Sequence, residues 1–194
     1  YVNRDPRFYR DIVYMGAVLM GKEYNVAEGS ADALVNSSVR DTRSTRTGYA
    51  LRKFVQNDWT INANISSMHF PLIRLPELML IYAEAVNELN GGPDAEAYNQ
   101  VNRIRTRANA TPFSGMNQNE FRSAVLEERA RELAYEADRR YDLFRWGIYL
   151  GVMNAIDMDE HNVTKRRLER NLLYPLPTSE VNANDKIDSN NPGW

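Results

Sequence analysis

Glu128 to Gly147 holds the densest set of groups able to do chemistry. Glu128, Arg129, Arg131, Glu132, Glu136, Asp138, Arg139, Arg140, Asp142 and Arg145 alternate with Leu133, Leu143, Phe144 and Trp146. Paired carboxyls invite general acid–base work, in which one carboxyl keeps its proton because its pKa is raised. Here nearly every carboxyl has an arginine within three or four residues, and a neighbouring cation lowers a carboxyl pKa instead. Charges set among large apolar groups are tolerated only when paired and hydrogen-bonded. The block therefore reads as an ion-paired scaffold built on Glu128, Arg129, Glu132, Glu136, Arg140, Asp142 and Arg145. Glu127–Arg131 and Glu136–Arg140 have the favourable orientation on a helix, worth about 0.2–0.5 kcal/mol each when exposed. Replacing Arg140 or Asp142 by Ala is expected to cost about 3–5 kcal/mol if their pair is buried.

Other chemistries fail on residue type. A helical di-metal site needs Glu-x-x-His pairs from facing helices, and neither His69 nor His161 follows a Glu by three residues. The chain has no cysteine, which excludes disulfides, thiolate metal sites and a cysteine nucleophile. No serine nucleophile elbow, phosphate-binding glycine loop or dinucleotide fingerprint is present. The sequence predicts no catalytic residue, no metal and no cofactor. Twenty-four Lys and Arg against 26 Asp and Glu leave a net charge of −2, which argues against nucleic acid as a partner. Arg103, Arg105 and Arg107 cluster at the end of a helix, where cations stabilise the dipole. Aromatic residues are the remaining resource for recognition, since their flat faces stack on sugar rings and peptides. Tyr24, Tyr49 and Trp59 lie in the loop-rich first third and are the candidate ligand-binding residues, because binding groups concentrate on loops.

The elements around these residues are mainly helical. Ile12 to Met15 reads as a short strand after Asp5-Pro6-Arg7, residues 22–48 as a long polar loop, and Tyr49 to Phe54 as extended chain. Leu75-Pro76-Glu77 fits a helix start, with proline at the first position and an acid in the first turn. Leu78, Ile81, Tyr82, Ala85 and Leu89 follow at helical spacing, and Asn90-Gly91-Gly92-Pro93 ends the run. A second helix from Asp94 carries Ala97, Val101 and Ile104 on one face, so residues 76–107 form a helical hairpin. A third helix is expected over Asn119 to Ala137 and a fourth over Tyr141 to Tyr149. From Leu172 onward, Tyr174-Pro175-Leu176-Pro177 forbids a continuous helix. No apolar run reaches transmembrane length, and Tyr1-Val-Asn-Arg-Asp-Pro has no signal-peptide character.

Taken in order, several segments resemble the C-terminal region of the SusD/RagB family of bacterial nutrient-binding lipoproteins. These are Asn3-Arg-Asp-Pro-Arg-Phe-Tyr9, Gly48-Tyr-Ala-Leu-Arg-Lys-Phe54, Ile73 to Ala85, Ala97 to Ala108, the Glu128–Gly147 block, Leu173-Tyr-Pro-Leu-Pro177 with Glu180, and Asn191-Pro-Gly-Trp194. Two positions depart from the family pattern: Ala137 stands where glycine is usual, and Trp194 where tyrosine is usual.

The resemblance implies a mainly α, SusD-like fold with a tetratricopeptide-like hairpin. Residues 1–72 would be an irregular, short-strand segment, and residues 73–194 the helical core and its irregular end. It also implies that the N-terminal half of a longer protein precedes Tyr1. The implied role is a non-catalytic subunit that captures an oligosaccharide or other nutrient at the outer-membrane surface. It would be lipid-anchored through an N-terminal cysteine absent from this chain and would work with a SusC-like TonB-dependent transporter. The alternative is a helical-repeat interaction module with no small-molecule ligand, for which the 76–107 hairpin is the carrying feature.

Overall fold

Leu75-Pro76 opens α2 (Leu75–Asn90), with proline in the first turn and Glu77 beside it. Gly91 closes it in the left-handed region at φ 70°, a backbone that glycine adopts without penalty. Asp94 then caps α3 (Ala95–Arg107) by accepting from the Ala97 amide at 2.7 Å. Asn117 and Glu120 form a reciprocal capping box at the start of α4 (Gln118–Glu132). These local signals fix the helix starts. The computed structural model describes residues 1–19, 22–24, 49–55, 68–156 and 167–194.

The chain divides into two compact units, Tyr1–Arg139 and Arg140–Trp194. In the first, α2 packs on both α3 and α4. Its core joins Met79, Leu80 and Ala83 to Ala97, Val101 and Ile104, and to Phe121 and Val125. Leu80, Val101, Phe121 and Val125 are fully buried, each worth about 1.5–3 kcal/mol in apolar burial. Tyr98 sets its ring edge-on to Phe121 at 5.0 Å. Its hydroxyl accepts from the Met116 amide at 2.7 Å, which pins the α3–α4 connection.

α2 carries two apolar stripes, and the core uses the one that periodicity does not emphasise. Leu78, Ile81, Tyr82 and Leu89 recur at the expected helical spacing but are exposed, whereas Met79, Leu80, Ala83 and Asn87 point inward.

The N-terminal segment differs from its expected form. Asp5 caps a short helix, α1 (Pro6–Asp11), and accepts from the Arg7 amide. Asp-Pro was the available signal, since proline suits a first turn and aspartate its cap. The strand after it is only β1 (Ile12–Val13), which pairs antiparallel with β4 (Ala50–Leu51). β2 (Ala17–Leu19) and β3 (Lys22–Tyr24) form a hairpin, so the expected polar loop begins as a strand. The rest of that loop, residues 25–48, lies outside the described residues.

α4 ends at Glu132, five residues short of Ala137. Tyr135 and Ala137 both take left-handed backbone, at φ 66° and 73°, which no α-helix accommodates. The expected single helix over Tyr141 to Tyr149 is two, α5 (Arg139–Arg145) and α6 (Tyr149–Asn154), separated by Gly147 at φ 67°.

In the second unit a 3-10 turn spans Glu169–Leu172, and α7 (Thr178–Ala183) follows Pro177. The prolines stop a helix before them but allow one immediately after. Asn190 exchanges hydrogen bonds with the backbone of Leu176, at 2.7 and 3.1 Å. The Trp194 indole donates to the carbonyl oxygen of Arg170 at 2.9 Å, and its ring faces the Arg170 guanidinium.

Candidate functional site

Three carboxylates one helical turn apart organise the first unit. Glu128 and Glu132 lie on α4, and Glu136 lies in the turn beyond it. All three are buried, so each requires cations within hydrogen-bonding reach. Their partners come from distant segments. Arg7 donates to Glu128 at 2.7 Å and to Glu132 at 3.0 Å, while Asp5 grips the same guanidinium from the other side. Arg105 donates to the second oxygen of Glu128 at 2.6 Å and stacks 3.8 Å from the Phe113 ring centroid. Arg74 forks onto Glu136 at 2.7 Å from two nitrogens and reaches Glu132 at 3.1 Å. Arg107 also pairs with Glu132. Lys53 spends its ammonium on the carbonyls of Glu132 and Ala134, at 3.1 Å each, and on Glu136.

The electrostatics follow from this crowding. Burial pushes the carboxyls of Glu132 and Glu136 upward, but the arginines outweigh it. Hydrogen bonding and charge from Arg107, Arg7 and Arg74 leave Glu132 below the ordinary glutamate value. Arg74 and Lys53 do the same for Glu136. Burial likewise opposes the charge on Arg7, yet Asp5, Glu128 and Glu132 raise its pKa above the usual arginine value. Carboxylates held ionised in this way are poor general acids. Among the described residues no group of three or more His, Cys, Asp or Glu could hold a metal ion.

The structure draws the ion-pair block apart into different roles. Glu128, Glu132 and Glu136 meet cations mostly far away in sequence. Arg129 is buried on α4. Glu127–Arg131 is a helical pair, as its spacing predicts. Glu136 lies past the helix end, so the Glu136–Arg140 geometry does not arise. Arg140 is exposed, with its guanidinium 4.6 Å from the Tyr174 ring centroid and 5.1 Å from that of Phe144. Asp142 is buried and accepts from Arg145 at 3.1 Å. Arg105 and Arg107, expected to serve the helix dipole, are carboxylate partners. Arg7, Lys53 and Arg74 escaped the sequence reading, and no local spacing marks them. The Asp-Pro-Arg and Leu-Arg-Lys segments were the available hints.

Of the aromatic candidates, Tyr49 joins a cluster at the start of the chain. Its ring is edge-on to Tyr1 at 6.1 Å and to Phe8 at 6.3 Å. Tyr14 completes the group, 4.9 Å from Tyr1 and 5.0 Å from Phe8. Tyr1 and Tyr49 remain partly exposed. Tyr24 pairs through its backbone with Ala17 in the β2–β3 hairpin. Trp59 lies outside the described residues. Two clefts flank the carboxylate network. One of about 460 Å³ is lined by Arg10, Asp11, Arg52, Lys53, Arg74 and Arg107 with apolar neighbours. The other, of about 440 Å³, is lined by Asn3, Arg4, Asn109, Phe113 and Arg131 among others.

Comparison with known proteins agrees with this architecture. The chain is 36% identical over 130 residues to a SusD-like protein of Formosa agariphila, covering 63% of this chain and 24% of that protein. It is 29% identical over 139 residues to the starch-binding protein SusD of Bacteroides thetaiotaomicron, covering 66% of this chain and 22% of that protein. Among solved structures, a SusD-like carbohydrate binding protein of Bacteroides fragilis superposes with a TM-score of 0.73 at 27% identity. That match covers 93% of this chain and 41% of the other. The chain thus spans about a quarter of the length of the curated relatives it matches. The profile of the SusD family matches residues 1–194 in full, and the chain belongs to that family.

Proposed function

We propose that this chain is part of a non-catalytic, cell-surface nutrient-binding subunit that captures an oligosaccharide at the outer membrane. In this reading it hands its cargo to a SusC-like TonB-dependent transporter. The observation that carries the reading is membership of the SusD family along the whole chain. Relatives described as starch-binding and as carbohydrate-binding support it. The ion-paired state of Glu132 and Glu136 agrees with binding rather than turnover, since their lowered carboxyl pKa values do not suit a general acid.

Tyr49, with its partly exposed ring beside Tyr1, is the proposed sugar-stacking residue, and Tyr24 and Trp59 are proposed to act with it. A glycan array followed by calorimetry on the intact protein tests the reading. One or more oligosaccharides bind, are not cleaved, and lose affinity in Tyr49→Ala. Absence of binding to every glycan, or turnover of one, overturns it.

A protein-interaction reading draws support from the exposed stripe of Leu78, Ile81, Tyr82 and Leu89 on α2. Co-purification with a soluble peptide partner and no affinity for glycans favours that alternative.

A further inference from the structure

We infer that the 460 Å³ cleft is an oxyanion subsite, which takes the carboxylate or sulfate group of a charged saccharide. The inference deepens the nutrient-binding reading and rests on it. Five cations line the cleft: Arg10, Arg52, Lys53, Arg74 and Arg107. Among the described residues the carboxylates they pair with are three, Asp11, Glu132 and Glu136, against five cations. A cleft in which one sign of charge predominates concentrates ions of the opposite sign.

The excess is not spread evenly. Arg74 and Lys53 are committed, with most of their donors engaged by carboxylates and carbonyls. Arg52 is different. Among the described residues its guanidinium gives one hydrogen bond, from Nη1 to the Tyr9 carbonyl at 3.0 Å, and meets no carboxylate. Arg107 reaches Glu132 through Nη2 and is half exposed. A planar guanidinium with unspent donors matches a carboxylate or sulfate in two-point geometry.

An independent observation comes from the apolar wall. Phe54 follows these cations directly and holds a left-handed backbone at φ 68°, an expensive conformation for an aromatic residue. Strain of this kind persists where the surroundings over-determine it, commonly at ligand sites. Phe54 packs its ring 5.1 Å from Phe70, and Met68 and Pro71 continue the wall. Arginines on one side and a flat apolar face on the other suit a sugar ring bearing one negative substituent.

Calorimetric titration of the full chain with trigalacturonate, a κ-carrageenan tetrasaccharide and maltotriose separates carboxylate, sulfate and neutral probes. At least one charged probe binds, at least tenfold tighter than maltotriose and more weakly as NaCl rises. Arg52→Gln weakens it at least tenfold. Whichever charged probe binds better identifies the oxyanion. If Arg52→Gln does not fold, the Nε–Hε signals of wild-type Arg52 and Arg107 decide instead, shifting with the charged probe and not with maltotriose. Equal affinity for neutral and charged probes, or unshifted arginine signals, overturns the subsite. If maltotriose alone binds and Tyr49→Ala weakens it, the subsite falls and the nutrient-binding reading stands. If no saccharide of any kind binds, both fall.

Discussion

Arg7 and Glu128 meet at 2.7 Å across 121 residues of sequence, with no more than 4% of either side chain exposed. This pair ties α1 to α4, and removing one partner strands the other as a buried, unpaired charge. Arg7→Ala is expected to lower stability by about 3–5 kcal/mol. Urea unfolding at neutral pH measures the change, and a loss below about 1 kcal/mol contradicts the role assigned to the pair.

Acid weakens the fold through Glu132 and Glu136. Both have folded-state pKa values below the ordinary one, so their contribution is complete above about pH 4.3, the unfolded glutamate value. It disappears as pH falls through the depressed folded values. The melting temperature is therefore expected to hold between pH 5 and 7, within roughly the range set by other groups, and to drop steeply below about pH 4. A melting temperature unchanged down to about pH 3 contradicts the ion-paired state.

Ala137 sits at φ 73° and is exposed. A side chain in that region costs about 1–2 kcal/mol that glycine does not incur, partly offset by glycine's freer unfolded chain. Ala137→Gly is expected to stabilise the protein by about 0.5–1 kcal/mol, read as an upward shift in melting temperature. A downward shift refutes the strain assigned here.

Arg140 gives the opposite lesson from Arg7. Exposed and stacked on Tyr174 and Phe144, it contributes a cation–π contact of about 0.5–1 kcal/mol. Arg140→Ala is expected to cost that much in denaturant, well short of the 3–5 kcal/mol of a buried pair. A larger loss points to a buried ionic role instead.

What the sequence makes legible is whatever a few adjacent residues decide. Pro76, Gly91 and Asp94 announce the hairpin, and α2 and α3 form where those residues indicate. The Asn117–Glu120 box opens α4 one residue from its expected start. Its end was illegible because Tyr135 and Ala137 adopt a backbone usually announced by glycine. The inward face of α2 was illegible for another reason: two apolar stripes share the helix, and periodicity cannot rank them. The carboxylate network lies beyond local reading altogether. Glu128 carries no mark that its partner is Arg7, and nothing near Arg52 signals its unspent donors.

The network also bears on time. Arg7 to Glu128, Arg74 to Glu136 and Lys53 to Glu132 join segments 121, 62 and 79 residues apart, so they close only after α1, α2 and α4 have come together. Contacts that form after the folding transition state act on the unfolding rate, and these pairs are expected to be of that kind. In stopped-flow measurements Glu128→Gln is expected to accelerate unfolding while leaving refolding nearly unchanged. With that outcome, the buried charges set the lifetime of the folded chain rather than the speed with which it forms.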